Sequence, residues 1–177
     1  PRTERDRSYG ASFEVRLPRR LSVELATRNG KVTAAGLDGS VDVETRNGSV
    51  EVSEIAGNVS CESTNGKIVA EEIVGDAHLK TRNGGVRLCS YTTSDQPEVS
   101  IVTSNGKVEL QLPETIRAEL SLQTSNGAIS TDFGAAQVDS VDRQSRRLAA
   151  RVNGGGIGRV RVETRNGAVR CKLLSTR

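Results

Sequence analysis

Apolar and polar residues alternate with a period of two along most of this chain, and Asn-Gly pairs punctuate the alternation. Aligned on the asparagine, the positions six and four before it are Val41 and Val43, Val59 and Cys61, Ala77 and Leu79, Val99 and Ile101, Leu120 and Leu122, and Val160 and Val162. Three and five after it stand Val50 and Val52, Ile68 and Ala70, Val86 and Leu88, and Val108 and Leu110. Asp, Glu, Ser, Lys and Arg fill the places between, so the pattern predicts a half-buried strand on each side of a turn. Leu37, Ile55 and Ile73, eight after the asparagine, break the parity and predict a corner that turns a third short side inward.

The turns repeat. Asn29-Gly30, Asn47-Gly48, Asn65-Gly66 and Asn83-Gly84 follow one another at intervals of 18, and Asn105-Gly106, Asn126-Gly127 and Asn166-Gly167 continue at looser spacing. A fixed period near 20 marks one small unit copied and stacked, its core shared with its neighbours. Two before the asparagine stand Thr27, Thr45, Thr81, Thr103, Thr124 and Thr164. They fall on the inward parity, where the hydroxyl can pack and still bond a turn amide. Asn and Gly are expected to supply a left-handed turn backbone. Gly39, Gly57 and Gly75 close each unit with a second turn.

Two all-β folds use such a pattern. An antiparallel meander is the alternative, but it sets Glu44 against Glu51 and Arg28 against Lys31, which repel, and leaves an open sheet with edges. A parallel β-solenoid, with about 18–22 residues and two to three short strands per coil, explains the constant period and stacks valines, threonines and asparagines into ladders. It also stacks Glu44 on Glu62, so charge does not decide. The period favours the solenoid.

Beyond Asn83 the period stretches through Tyr91 to Glu98, Pro113 to Arg117 and Gly134 to Arg147, each after a second strand and hence on the edge opposite the Asn-Gly turns. The last is read as a loop leading into a strand over Arg146 to Val152, with a short helix as the other possibility. Asn153-Gly154 breaks the pattern, because Arg151 replaces Thr and Leu148, Ala150 and Val152 have the opposite parity. Gly154-Gly155-Gly156 lacks the helix start and Lys of a phosphate loop and reads as a flexible turn. Phe13, Val15 and Leu17 suit a strand capping the first coil. The chain stops soon after Leu173-Leu174, which leaves the last coil little cover.

Composition narrows the function. The chain of 177 residues, 34% apolar, has no apolar run of membrane-spanning length and no signal peptide, and Pro1 as its first residue suggests an excised fragment. A flexible segment is expected over 1–8 and a single repeat domain over 9–177. With 25 basic and 22 acidic residues the surface is mixed, which argues against nucleic acid as a partner. Tyr9, Phe13, Tyr91 and Phe133 are the whole aromatic complement, as a thin aliphatic core allows and a stacking site for bases or sugars does not. Cys61 and Cys171 take apolar places and read as small hydrophobes. Three cysteines and His78 make neither a disulfide framework nor a zinc site. No metal, cofactor or catalytic residue is expected.

Candidate binding residues fall on two edges. The loop edge offers Tyr91, Asp95, Gln96, Arg143, Arg146 and Arg147. The Asn-Gly edge offers Arg28, Arg46, Arg82 and Arg165, with Lys31 and Lys67, while Asp38, Glu54, Glu71, Glu72 and Asp76 lie near the other edge. Glu44, Glu62 and Lys80 align three before the asparagine, the placement of carboxylates and a base on one face that a polysaccharide-active β-helix enzyme uses, though an alternating solvated face gives the same pattern.

VETRNGSVEVSEIAG and its copies, VTSNGKVELQLPETIRAELSLQTSNGAIS in the middle and NGGGIGRVRVETRNGAVRCKL at the end resemble the bacterial putative-adhesin family of β-strand repeat proteins, a domain of unknown function. The resemblance spans about Phe13 to Leu174. It implies a β-solenoid in an envelope or extracellular protein, often behind an N-terminal membrane or regulatory segment, and brings no catalytic residues. The expectation is a non-catalytic, adhesin-like scaffold or binding module whose partner is an envelope polymer, an anionic lipid or another protein. A self-assembling solenoid, its oppositely charged edges packed side by side, and a polysaccharide-active enzyme are the alternatives.

Overall fold

In a computed structural model, described for residues 14–92, 96–133, 138–144, 146–156 and 158–174, the alternating segments form sixteen strands. Each Asn-Gly turn joins the two strands of one coil. The first four coils are β1 (Val23–Asn29) with β2 (Val32–Leu37), β3 (Val41–Asn47) with β4 (Val50–Ile55), β5 (Val59–Asn65) with β6 (Ile68–Ile73), and β7 (Ala77–Asn83) with β8 (Val86–Ser90). Then come β9 (Glu98–Asn105) with β10 (Val108–Pro113), β11 (Ala118–Asn126) with β12 (Ile129–Asp132), a hairpin of β13 (Val138–Gln144) and β14 (Arg147–Val152), and finally β15 (Gly158–Asn166) with β16 (Val169–Leu174).

From coil to coil, first strands pair with first strands, in parallel and in register, as in Val41↔Val59 and Asn47↔Asn65. Second strands do likewise, as in Val50↔Ile68. The result is a two-sheet parallel β-solenoid, with Val, Ile, Leu and Ala from both sheets buried between them. Among the described residues each coil has two strands and no third side. The parity break at Ile55 and Ile73 is absorbed inside β4 and β6, where Glu54 and Glu72 sit at φ 54° and 58°. The ladder passes from Ser53↔Glu71 to Ile55↔Ile73. One left-handed residue rotates the next side chain back inward; in β2 that residue is Gly36, at φ 69°.

Most Asn-Gly turns are not left-handed. Gly30 alone among the seven turn glycines has a positive φ, of 112°, and none of the turn asparagines does. Glycine is required instead by stacking. A Cβ on Gly48 would lie 1.8 Å from the Gly30 carbonyl oxygen, and one on Gly66, Gly84, Gly106 or Gly167 would lie 1.9 Å from the carbonyl of the turn beneath. Beside this column the asparagine amides form their own ladder: Asn65 Nδ2 donates to Asn47 Oδ1 at 2.8 Å, and Asn83 to Asn65 likewise.

The inward hydroxyls donate to a carbonyl rather than accept from an amide. Ser63 reaches Gly48 O at 3.2 Å, Thr81 Gly66 O at 3.1 Å and Thr103 Gly84 O at 3.1 Å. Thr45, buried above the differently turned Gly30, has no partner. Thr103→Val is therefore expected to cost about 1 kcal/mol, whereas Thr45→Val is neutral or stabilising by a similar amount. Urea midpoints of the two variants check this, and equal losses would refute it.

The last coil is not at the end. In the first sheet the order is β1-β3-β5-β7-β9-β15-β11-β14-β13, and in the second β12-β16-β10-β8-β6-β4-β2. β15 and β16 fill a slot between the two preceding coils, and Val160, Val162, Val169 and Cys171 are fully buried there. The expected lack of cover is thus reversed. The asparagine ladder runs through the slot, Asn166 donating to Asn105 at 2.8 Å and Asn126 to Asn166 at 2.9 Å. The residues after Pro113 give the chain the reach to step over one coil's width and leave that slot open.

The third insertion is neither helix nor plain loop, since β13 precedes the expected strand and pairs with it antiparallel. β14 in turn caps β11 antiparallel, with Leu122↔Leu148 and Ala118↔Val152. Reversed direction explains the opposite parity of Leu148, Ala150 and Val152, all buried. It also carries Asn153-Gly154 to the loop edge, as a clamp rather than a flexible turn: Asn153 Nδ2 donates to Glu114 O at 2.6 Å and Ile116 O at 2.8 Å. At the other end no strand forms over 14–17, where Val15 and Leu17 are exposed. Phe13 and the segment 1–8 lie outside the described residues.

Candidate binding surfaces

Stacking seven turns in register sorts charge by position. Read as four-residue units the turns are RNGK, RNGS, TNGK, RNGG, SNGK, SNGA and RNGA, so the Asn-Gly edge holds Arg28, Lys31, Arg46, Lys67, Arg82, Lys107 and Arg165 and no carboxylate within these units. Arg28, Arg46, Arg82 and Arg165 are exposed, project from the ends of β1, β3, β7 and β15, and have no ion-pair partner among the described residues. Neighbouring coils lie about 4.8 Å apart, so the six successive coils that carry a cation make a basic ridge about 24 Å long. Lys31 and Lys107 are turned aside, paired with Glu51 at 2.6 Å and Glu109 at 2.5 Å. Lys107, and after it Arg87, hold the Glu109 carboxyl below the usual carboxylate range.

The expected loop-edge cluster is divided. Tyr91 and Gln96 are exposed on that edge, Tyr91 with its hydroxyl against the Cys89 thiol; Asp95 lies outside the described residues. Arg146 and Arg147 lie at the opposite edge, because the β13–β14 hairpin turns there: Thr124 N donates to Arg146 O at 3.0 Å, and Arg147 stands opposite Gln123. Arg143, whose backbone pairs with Leu148, belongs to the same hairpin. The backbone of Arg146 and Arg147 thus stands toward the Asn-Gly edge rather than on the loops.

The outer face of the first sheet carries a feature that sequence reasoning missed. An open depression of about 730 Å3 lies across β15, β11 and β14, rimmed by Arg159, Arg161, Arg151, Arg147, Glu119 and Glu163. Only the outward parity of Arg159 and Arg161, and of Arg147 and Arg151, hinted at it. The three strands are 118–126, 147–152 and 158–166 in sequence, and their adjacency depends on the displaced last coil.

The remaining candidates are solvated or sealed. Glu44, Glu62 and Lys80 do stack, and Lys80 bonds Glu62 at 2.7 Å on an open face. His78 is exposed beside a shallower groove at the starts of β1, β3 and β5. Cys61 and Cys171 are buried, and burial pushes both thiols up to about 12; beside Cys61, Asp42 adds to the effect. They are core residues, not nucleophiles. Among the described residues no group of His, Cys, Asp and Glu is placed to hold a metal, and no helix is long and apolar enough to cross a membrane.

Fold and edges together define a class, a two-sheet parallel β-solenoid built from strand–Asn-Gly–strand repeats. The chain belongs to the Toastrack family, DUF4097, which residues 20–172 match. A solved structure described as a putative cell adhesion protein from Clostridium sporogenes shares the fold, with a TM-score of 0.53 at 10% identity over 88% of this chain and 93% of that one. No curated protein matches the chain significantly.

Proposed function

We propose that the repeat domain over residues 9–177 is a non-catalytic, adhesin-like binding module of the bacterial envelope or cell surface, and that its basic ridge meets an anionic envelope polymer. The carboxylate-free run of Arg28, Arg46, Arg82 and Arg165 carries this reading. Cations held at coil spacing on a rigid edge suit a linear polyanion, and the turn units of the ridge hold no aromatic ring to stack a neutral sugar. An open face without a sheltered cleft gives Glu44 and Glu62 no environment that would make either a general acid.

Retention on immobilised polygalacturonate is expected to exceed that on dextran and to fall as salt rises. Changing Arg46, Arg82 and Arg165 together to Gln is expected to weaken it about tenfold. Equal retention on dextran, or none on either, would overturn the reading. Binding to phosphatidylglycerol vesicles in place of the polymer would make lipid head groups the partner.

Charge segregation favours one second reading, side-by-side self-association, since Asp38, Glu54, Glu71, Glu72 and Asp76 lie toward the edge opposite the ridge. Light scattering at low and high salt separates the two: a monomer at both removes self-association.

A further inference from the structure

The depression on the first sheet is a grid of three strands by three outward positions. Across β15, β11 and β14 its rows are Arg159, Glu119 and Arg151; Arg161, Ser121 and Ala149; and Glu163, Gln123 and Arg147. Small Ser121 and Ala149 sit inside a rim of long charged side chains, which is why the surface dips there. Strand spacing and rise give the rim dimensions of about 10 Å by 13 Å, room for one sugar ring or one phosphodiester unit.

Charge within the rim is not balanced. Arg151 is occupied by Glu119 at 3.1 Å and Arg161 by Glu163 at 3.0 Å through Nε. Arg159 and Arg147 have no ion-pair partner among the described residues. Glu98 flanks Arg159 from the β9 side, outside the depression. Two guanidinium forks without an ion-pair partner among the described residues thus stand at opposite corners of a dip with a hydroxyl in its floor, and such forks match the paired oxygens of a carboxylate or phosphate.

From this geometry we infer that the depression is a discrete subsite for one oxyanion-bearing unit of a polymer, an acidic sugar or a phosphodiester, with Arg159 and Arg147 as its anion ligands and Ser121 as a hydroxyl donor. It is separate from the ridge. The ridge senses charge along a chain; the depression reads one unit. Its openness on the sheet face lets the polymer continue on both sides.

The full chain, isotopically labelled for amide NMR, is titrated with glucuronate, with glycerol phosphate and with glucose. Saturable shifts centred on Ser121 and Ala149 are expected with at least one anion and not with glucose, and the anion that binds identifies the unit as carboxylate or phosphate. Arg147→Gln with Arg159→Gln should weaken binding at least about tenfold. Ser121→Leu, which fills the floor, should abolish it, and Lys172→Gln, exposed on β16 of the other sheet, should leave it unchanged. No saturable shift with either anion, equal shifts with glucose, or full affinity in the double variant would overturn the inference. Polymer retention through the ridge is measured separately, so either site can fail alone.

Discussion

Gly66→Ala is expected to destabilise the protein by more than about 3 kcal/mol, although it adds a single methyl group at a surface turn. The new Cβ would lie 1.9 Å from the Gly48 carbonyl oxygen, and the obstacle is backbone rather than a side chain that can swing aside. Relief requires prising two coils apart, which also strains the Asn47–Asn65 amide bond and the Ser63 hydroxyl bond to Gly48. Gly48→Val should be at least as damaging, with its Cβ at 1.8 Å from Gly30 O. Lys31→Ala, which removes one exposed ion pair, should cost under about 1 kcal/mol. Thermal melts of the three variants check this, and a Gly66→Ala melt matching that of Lys31→Ala would show that the coils do not pack this closely.

A chain ending before Gly158 is expected not to fold cooperatively, whereas one that lacks only the first coil should fold with a modestly lower melting temperature. In an ordinary stack the two deletions are equivalent, each removing one interface. Here β15–β16 has a coil on both sides, and its four fully buried apolar side chains are worth about 6–12 kcal/mol, comparable with the whole stability of a domain. The first coil has one neighbour, and Val23, Leu25 and Val32 are only partly buried. Circular dichroism and thermal melting of both truncations decide the matter. If the C-terminal truncation melted within a few degrees of the intact chain, the last coil would sit at an end after all. The displaced coil also pairs across long separations, 61 residues from Asn105 to Asn166, so its docking should come late in folding.

The binding surfaces were legible only in part. Arg28, Arg46, Arg82 and Arg165 could be assigned to one edge because each is one residue from a turn whose place in the coil is fixed by the repeat. Arg146 and Arg147 were assigned to the wrong edge because the third insertion was read as a loop, and the reversed β13–β14 hairpin moved them across the sheet. Of the depression, only the outward parity of its arginines was legible. Its rim needs β15 beside β11 and β11 beside β14, adjacencies that no local pattern encodes.

Residue order by itself determined the coil: two alternating strands, an inward Thr, an Asn-Gly corner and a solenoid in preference to a meander. These follow from a two-residue parity and a fixed repeat length, both of which are local. Tertiary structure decided why the corner is glycine, since the forbidding contact belongs to the next coil rather than to the residue's own φ. It also decided the order of the coils. Seven nearly equivalent turns fit any slot in the ladder, and the last coil's place was settled by the gap left between β9–β10 and β11–β12 and by the hairpin that caps the stack beyond it.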